Sequence, residues 1–256
     1  RPRAASKPAP AARACRRRLS PSCGKVEGGG AICYPYRMAA RRDGEQAVEA
    51  GSFDRLRSAA HAACEGRGPA HDFAHVLRVA RLSEEIAGEE GADRHLVLAA
   101  ALLHELFNYP KDHPESPRSG VRCAELARAL LLREGWKSER ADRVAYAIRV
   151  HPFSLGVVPE TLEARILQDA DRLDAIGAIG IARCFATGAE MKRPFYATDD
   201  PFCMQRAPDD KRFTLDHFYR KLLRVKDSLH TEAARRVAAK RTTFMRAFLD
   251  QFAEEI

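Results

Sequence analysis

The run Leu96-Val-Leu-Ala-Ala-Ala-Leu-Leu103 carries no charge and is apolar on every helical face, yet His104-Glu105 follows it at once. A helix with no polar face belongs at the centre of a bundle. Two ionisable residues closing such a helix need partners, because an unpaired buried charge is costly. Protein groups or a metal ion can supply them. Just upstream, Gly91-Ala92-Asp93 ends one helix and caps the next.

The rest of the chain reads as helices around that one. Apolar residues at three- and four-residue steps predict helices over about 52–65, 71–88, 93–107, 118–134, 138–150, 159–176, 177–188, 214–229 and 231–254. Gly66, Gly68 and Pro69 separate the first two, and Pro110, Pro114 and Pro117 forbid regular helix after the central one. Residues 192–210 read as a long loop or flap. No run sustains the period-two alternation of a strand, so the predicted class is all-α, a helical bundle.

The net charge of +8 belongs to one end of the chain. Residues 1–50 hold 11 Lys/Arg against 4 Asp/Glu, whereas the remainder hold 32 against 31. Nucleic-acid binding shows as a basic patch on the folded part, and the folded part is near neutral, so no nucleic-acid partner is expected. Residues 1–50 lack apolar periodicity and are expected to be disordered, leaving 52–256 as the domain. The first 26 residues contain no acid, which fits either an organelle transit peptide or a leader upstream of a true start near Met38. The second is preferred, since no amphipathic repeat is present. The 7 cysteines form no Cys-x-x-Cys pair and read as reduced thiols of a cytoplasmic protein. No window approaches the roughly 18 uncharged apolar residues of a membrane helix, so no membrane contact is expected.

Two other segments carry ionisable groups in helical context. His71 and His75 are four apart and share a helix face, although such a pair reads first as surface or capping residues. Asp72 sits at a helix start, where Asp commonly caps. Asp169-Ala-Asp171-Arg172-Leu173-Asp174 puts Asp171 and Asp174 on one face and Asp169 on another; alone, it reads equally as a solvated charged stripe. A zincin is excluded, because His104-Glu105 would need a histidine at position 108, which is Asn.

Taken together, the fragments resemble the HD-domain superfamily of metal-dependent phosphohydrolases, whose pattern is a His, a His-Asp dyad and a later Asp, all on helices. The matching residues are His75 in His75-Val-Leu-Arg78-Val79, His104 with Glu105, and Asp171 in Ala170-Asp171-Arg-Leu. Ala100-Ala-Leu-Leu-His104, Tyr109-Pro-Lys-Asp-His-Pro114, Gln168-Asp-Ala-Asp-Arg-Leu-Asp-Ala-Ile-Gly177 and Leu215-Asp-His-Phe218 are similar to the small bacterial YedJ- and YpgQ-like group. The resemblance spans about 52–254.

It implies an HD-domain bundle in which His75, His104, Glu105 and Asp171 hold one divalent metal. Imidazole and carboxylate together favour Mn²⁺, with Fe²⁺, Zn²⁺ or Mg²⁺ as alternatives. It also implies a metal-activated water attacking a phosphate ester or anhydride of a small substrate, with nucleotides the leading class. Lys111 and Arg78 are then candidate phosphate contacts, Arg78 alternatively pairing with Glu85. His151 is a candidate proton donor or phosphate contact, and Lys221 and His217 are candidates for closing the pocket. A homodimer is an open expectation. The departure is Glu105, where the family has Asp. A carboxylate one methylene longer moves its oxygens by about 1 Å, a misplacement that can cost on the order of 10²-fold in rate. A shifted but active site is the preferred outcome; a changed metal preference, or a catalytically weak module that binds a nucleotide as a sensor, remain alternatives.

Overall fold

The structure, a computed structural model, describes residues 44–68, 71–109 and 113–256, apart from the side chains of Glu45, Gln46 and Ser154. Residues 1–43 of the tail expected to be disordered, the expected start at Met38, and Lys111 lie outside the described residues. Among the described residues every regular element is helical, as the patterning predicts. In chain order these are α1 (Gly44–Ala63), α2 (Phe73–Glu90), α3 (Arg94–Leu103), α4 (Ser119–Arg133), α5 (Ser138–Val150), α6 (Leu162–Asp174), α7 (Gly177–Glu190), α8 (Asp216–Arg220) and α9 (Glu232–Glu254). Short 3₁₀ turns occupy Ser116–Arg118, Phe153–Leu155 and Leu222–Ser228.

α3 is the axis of the bundle. Every residue from His95 to Leu103 is buried, and α1, α2, α5 and α6 pack around it. Its lack of a polar face is therefore a consequence of having neighbours on all sides. Asp93 starts it, accepting from the backbone N–H groups of His95 and Leu96 at 3.1 and 3.2 Å. Asp72 caps α2 by accepting from His75 N at 2.8 Å, and Gly91, at φ +72°, closes that helix in the left-handed conformation. α4 lies along α5, and α9 crosses α7, α6 and α2. No helix among the described residues is long and apolar enough to cross a membrane.

Three boundaries differ from the sequence expectation. α1 begins at Gly44 and not at Ser52, so residues 44–50, expected to be part of the disordered tail, belong to the folded domain. The reason is long-range. Buried Glu49 pairs with His95 Nδ1 at 2.9 Å and with Arg140 NH2 at 2.8 Å, and Ser52 accepts from Trp136 Nε1 at 2.9 Å. The predicted helix over 214–229 breaks at Lys221 (φ −135°) into α8 and a 3₁₀ turn. α3 stops at Leu103, so His104 is its C-cap and Glu105 lies in the turn beyond. There the single Cys123 thiol hydrogen lies between the carbonyls of Leu103 and His104, both at 3.2 Å, beside the Leu106 N–H that bonds Leu103 O at 3.1 Å, so the last carbonyls of α3 have partners without further helix. Burial pushes the Cys123 thiol up to about 12, so it remains a donor. The stretch 192–210 is a loop, as expected. Asp200 accepts from the N–H groups of Met204, Gln205 and Arg206 at 2.8, 2.9 and 3.0 Å, and Arg206 forks onto buried Asp216.

The α6–α7 corner, which carries Asp174, has no room for a side chain at Gly180. A Cβ there would stand 2.2 Å from the Ala175 carbonyl oxygen. Because the obstacle is backbone, Gly180→Ala is expected to destabilise the domain by about 3 kcal/mol, a fall in Tm of roughly 6–12 °C. A thermal melt followed by circular dichroism measures this; an unchanged Tm would show that the corner opens freely.

Candidate metal centre

The site is built where α2, the end of α3 and α6 meet. His75, fully buried in the first turn of α2, has its Nδ1 2.8 Å from Asp174 Oδ2. His104 has its Nδ1 2.7 Å from the Ala101 carbonyl oxygen. Both partners are acceptors, so each Nδ1 carries the hydrogen and each Nε2 is left with a lone pair. These two Nε2 atoms face one another at 3.2 Å, and Asp171 Oδ1 lies 3.5 Å from His75 Nε2. Two lone pairs and a carboxylate converging on one point cannot satisfy each other by hydrogen bonds. A cation resolves that conflict, and the nitrogen-rich donor set suits a borderline divalent ion.

The electrostatics favour the ligand forms. Burial lowers the His104 pKa to about 4, a shift the charges of Glu105 and Asp171 only partly offset, so the ring is neutral near pH 7. At Asp171 burial works to raise the pKa, but the neighbouring imidazoles of His75, His104 and His151 lower it more. At Asp174 burial likewise raises it, and the bonds from His75 and Arg78 outweigh burial, holding the carboxyl well below the usual range. Asp174 is the hub behind the site. Beyond His75 it accepts from Arg78 Nε and NH2 at 2.7 and 2.9 Å and from Arg183 NH1 at 2.6 Å. A carboxylate that fixes the tautomer and orientation of a ligating histidine is a standard outer partner in metal sites.

Glu105 is held slightly apart. Its two oxygens take Arg67 NH1 and His71 Nδ1, each at 2.9 Å. Among the described residues two groups have donor atoms all within 4.8 Å of one another: His75, His104 and Asp171, and then His71, His75 and Glu105. His75 belongs to both. Burial raises the Glu105 pKa, yet the His71 bond and the His104 charge prevail and hold it at about 2.

The structure thus gathers His75, His104 and Asp171 into one cluster and puts Glu105 in an adjoining one. His151, the C-cap of α5, stands edge-to-face with His104 at 5.3 Å between centroids, its Nδ1–H donating to Ile148 O at 2.6 Å. Arg78 is engaged with Asp174, and Glu85 pairs with Arg81 instead. His217 Nδ1 meets Asp210 at 2.8 Å. Asp169 faces away, accepting from His230 N and Thr231 N at the start of α9. Sequence reasoning assigned no role to Asp174, Arg183, Arg67 or His71. The spacings to Asp171 and His75 flagged Asp174 and His71 as face-mates, but not what they would bond.

These shifts set a pH dependence. His104 has a folded pKa of about 4, below its ordinary 6.5, and Glu105 one of about 2, below 4.5. In both cases the unfolded chain binds protons first, so stability rises with pH across the gap. The His104 contribution is complete above pH 6.5 and lost as pH falls through 4; the Glu105 contribution is complete above 4.5 and lost towards 2. The Tm of metal-free protein is therefore expected to fall continuously from pH 6.5 downward, and His104→Gln to flatten the part between 6.5 and 4.

A helical bundle in which two histidines and an aspartate from separate elements converge on one point could hold a metal ion, and the family to which the chain belongs agrees with that arrangement. The HD domain model matches residues 72–176, the segment from the cap of α2 to the end of α6. The chain belongs to the HD domain family. It is similar to the Bacillus subtilis protein YpgQ, 37% identical over 190 residues that span 73% of this chain and 84% of that protein. The crystal structure of YpgQ in complex with ADP superposes with a TM-score of 0.65 at 33% identity, covering 82% of this chain and 97% of that one. An HD-superfamily hydrolase from Bacillus thuringiensis gives 0.64 at 30% identity, covering 81% and 97%.

Proposed function

We propose that this chain is a metal-dependent phosphohydrolase acting on a nucleotide, with His75, His104 and Asp171 holding a divalent ion, Mn²⁺ foremost. The observation that carries the reading is the pair of Nε2 lone pairs meeting at 3.2 Å beside Asp171. Membership of the HD domain family and the likeness to an HD-superfamily hydrolase support phosphoester or anhydride cleavage, and the ADP bound by YpgQ supports a nucleotide as substrate. When bound, such an ion supplies charge to a phosphoryl oxygen and lowers the pKa of a water.

The chain's own residues do the rest. Asp174 keeps His75 in the ligand tautomer, with Arg78 and Arg183 holding the carboxylate. His151, whose Nδ1 hydrogen is committed to Ile148 O, has Nε2 left to take or give the proton. Glu105, in the second donor group, which shares His75, is proposed as a further ligand. Lys111 and the partly exposed head of Arg78 are proposed to meet the phosphate. Buried free thiols at Cys64, Cys123 and Cys184 suit a reducing, cytoplasmic compartment.

One observation favours a second reading. Both Glu105 oxygens are already taken by Arg67 and His71, which suits a weakly catalytic, nucleotide-binding sensor. Metal-stripped and Mn²⁺-reloaded protein, assayed for phosphate and pyrophosphate release from nucleoside triphosphates, separates the two. Turnover only after reloading is the expected result. Nucleotide binding that persists without metal, with no turnover in either form, would establish the sensor.

A further inference from the structure

A two-lobed cleft surrounds Phe153, on the 3₁₀ turn just past His151 and Pro152. Phe153 is 47% exposed, and Leu155, Val157 and Val158 beside it are exposed as well, Val158 to 68%. Single exposed apolar residues are ordinary; a contiguous group of them marks a binding surface. The ring is flanked by two cations: the Arg172 guanidinium carbon lies 5.1 Å from its centroid and the Lys221 Nζ 5.0 Å.

The two lobes meet at Phe153 and Ser228. The smaller, about 310 Å³, is basic: Arg220, Lys221 and Arg224 line it against Asp210 alone. Asp210 is already shared between His217 and Arg220, so the lobe keeps an excess of positive charge. The larger, about 560 Å³, has apolar walls in Val157, Val158 and Leu229 and polar groups in Asp227 and His230. Arg172, on its inner side, is buried and its Nε–H has no hydrogen-bond partner in the described structure. Two residues of the cleft are close to the metal centre in sequence, Phe153 lying two residues past His151 and Arg172 next to Asp171.

We infer that this cleft is the nucleotide's binding site, with the base between Phe153, Val157 and Val158 and the phosphates against Lys221 and Arg224. The assignment rests on the nucleotide reading above. A concave basic lobe concentrates phosphate charge, and Arg and Lys are the side chains that hold it. Apolar walls with a few polar groups are what a flat heterocycle with hydrogen-bonding edges requires. An ester lacking a base would leave the larger lobe unused.

The test uses Mn²⁺-loaded protein, isothermal titration calorimetry and two non-hydrolysable probes: α,β-methylene-ADP, and methylenediphosphonate, which has no base. Arg224→Glu and Val158→Asp alter exposed side chains, and a thermal melt confirms their folding. Arg224→Glu is expected to weaken both probes by about tenfold or more, and Val158→Asp to weaken α,β-methylene-ADP by about tenfold while leaving methylenediphosphonate unchanged. Wild-type affinity for α,β-methylene-ADP in either variant would overturn the inference and leave the nucleotide reading standing. Wild-type protein that binds methylenediphosphonate but not α,β-methylene-ADP any better would remove both.

Discussion

Asp171→Ala is expected to abolish Mn²⁺ binding and turnover together while the protein stays folded. Asp171 gives the centre its carboxylate at 3.5 Å from His75 Nε2, and the two imidazoles left behind bring no negative charge to neutralise a divalent ion. Losses from outer partners of a metal site run to about 10–100-fold in affinity, so loss of a ligand should exceed roughly 100-fold in both Kd and kcat/KM. The fold should survive, because Asp171 is partly exposed and carries no hydrogen bond comparable to those of Asp174. Calorimetric Mn²⁺ titration beside a thermal melt checks both halves. Wild-type affinity in the variant would move the ion to the group of His71, His75 and Glu105, and the present assignment would fail.

How much of this was legible in the sequence depends on the range of the forces involved. α2 and the start of α3 were plain, because Asp72, Gly91 and Asp93 set those limits and apolar spacing sets the face of α2, all within a few residues. The start of α1 was not, because residues 44–51 have no apolar repeat and are held by Glu49 reaching His95 and Arg140. The end of α3 was misplaced for a similar reason: Cys123, on α4, places its thiol between the carbonyls of Leu103 and His104. At the site, His75, His104 and Asp171 could be found from their order and their resemblance to the HD family. Their partners could not. Asp174 was visible only as a face-mate of Asp171, and nothing local says that it bonds a histidine four helices upstream together with Arg78 and Arg183. Glu105 shows the same limit, since Arg67 and His71, which engage both its oxygens, precede it by more than a full helix.

That hub makes Asp174 the second position with a large effect, and there stability and metal binding can be told apart. Its side chain is almost fully buried and receives His75, Arg78 and Arg183. Asp174→Ala removes a carboxylate that these two guanidinium groups share and leaves His75 Nδ1 without its acceptor. Breaking a buried ion pair from one side costs about 3–5 kcal/mol, so Tm should fall by on the order of 10 °C. Asp174→Asn keeps the shape and an acceptor oxygen but loses the charge. It should melt closer to wild type, and its Mn²⁺ affinity should still drop about 10–100-fold, because an amide can present its N–H₂ to His75 and admit the wrong tautomer. If the asparagine variant bound Mn²⁺ as wild type does, the carboxylate would be a structural pin for α2 and α6 and not the group that orients His75. A weakened Kd in a protein that melts normally has no explanation in packing alone; it requires that Asp174 act on the ion through the ring of His75.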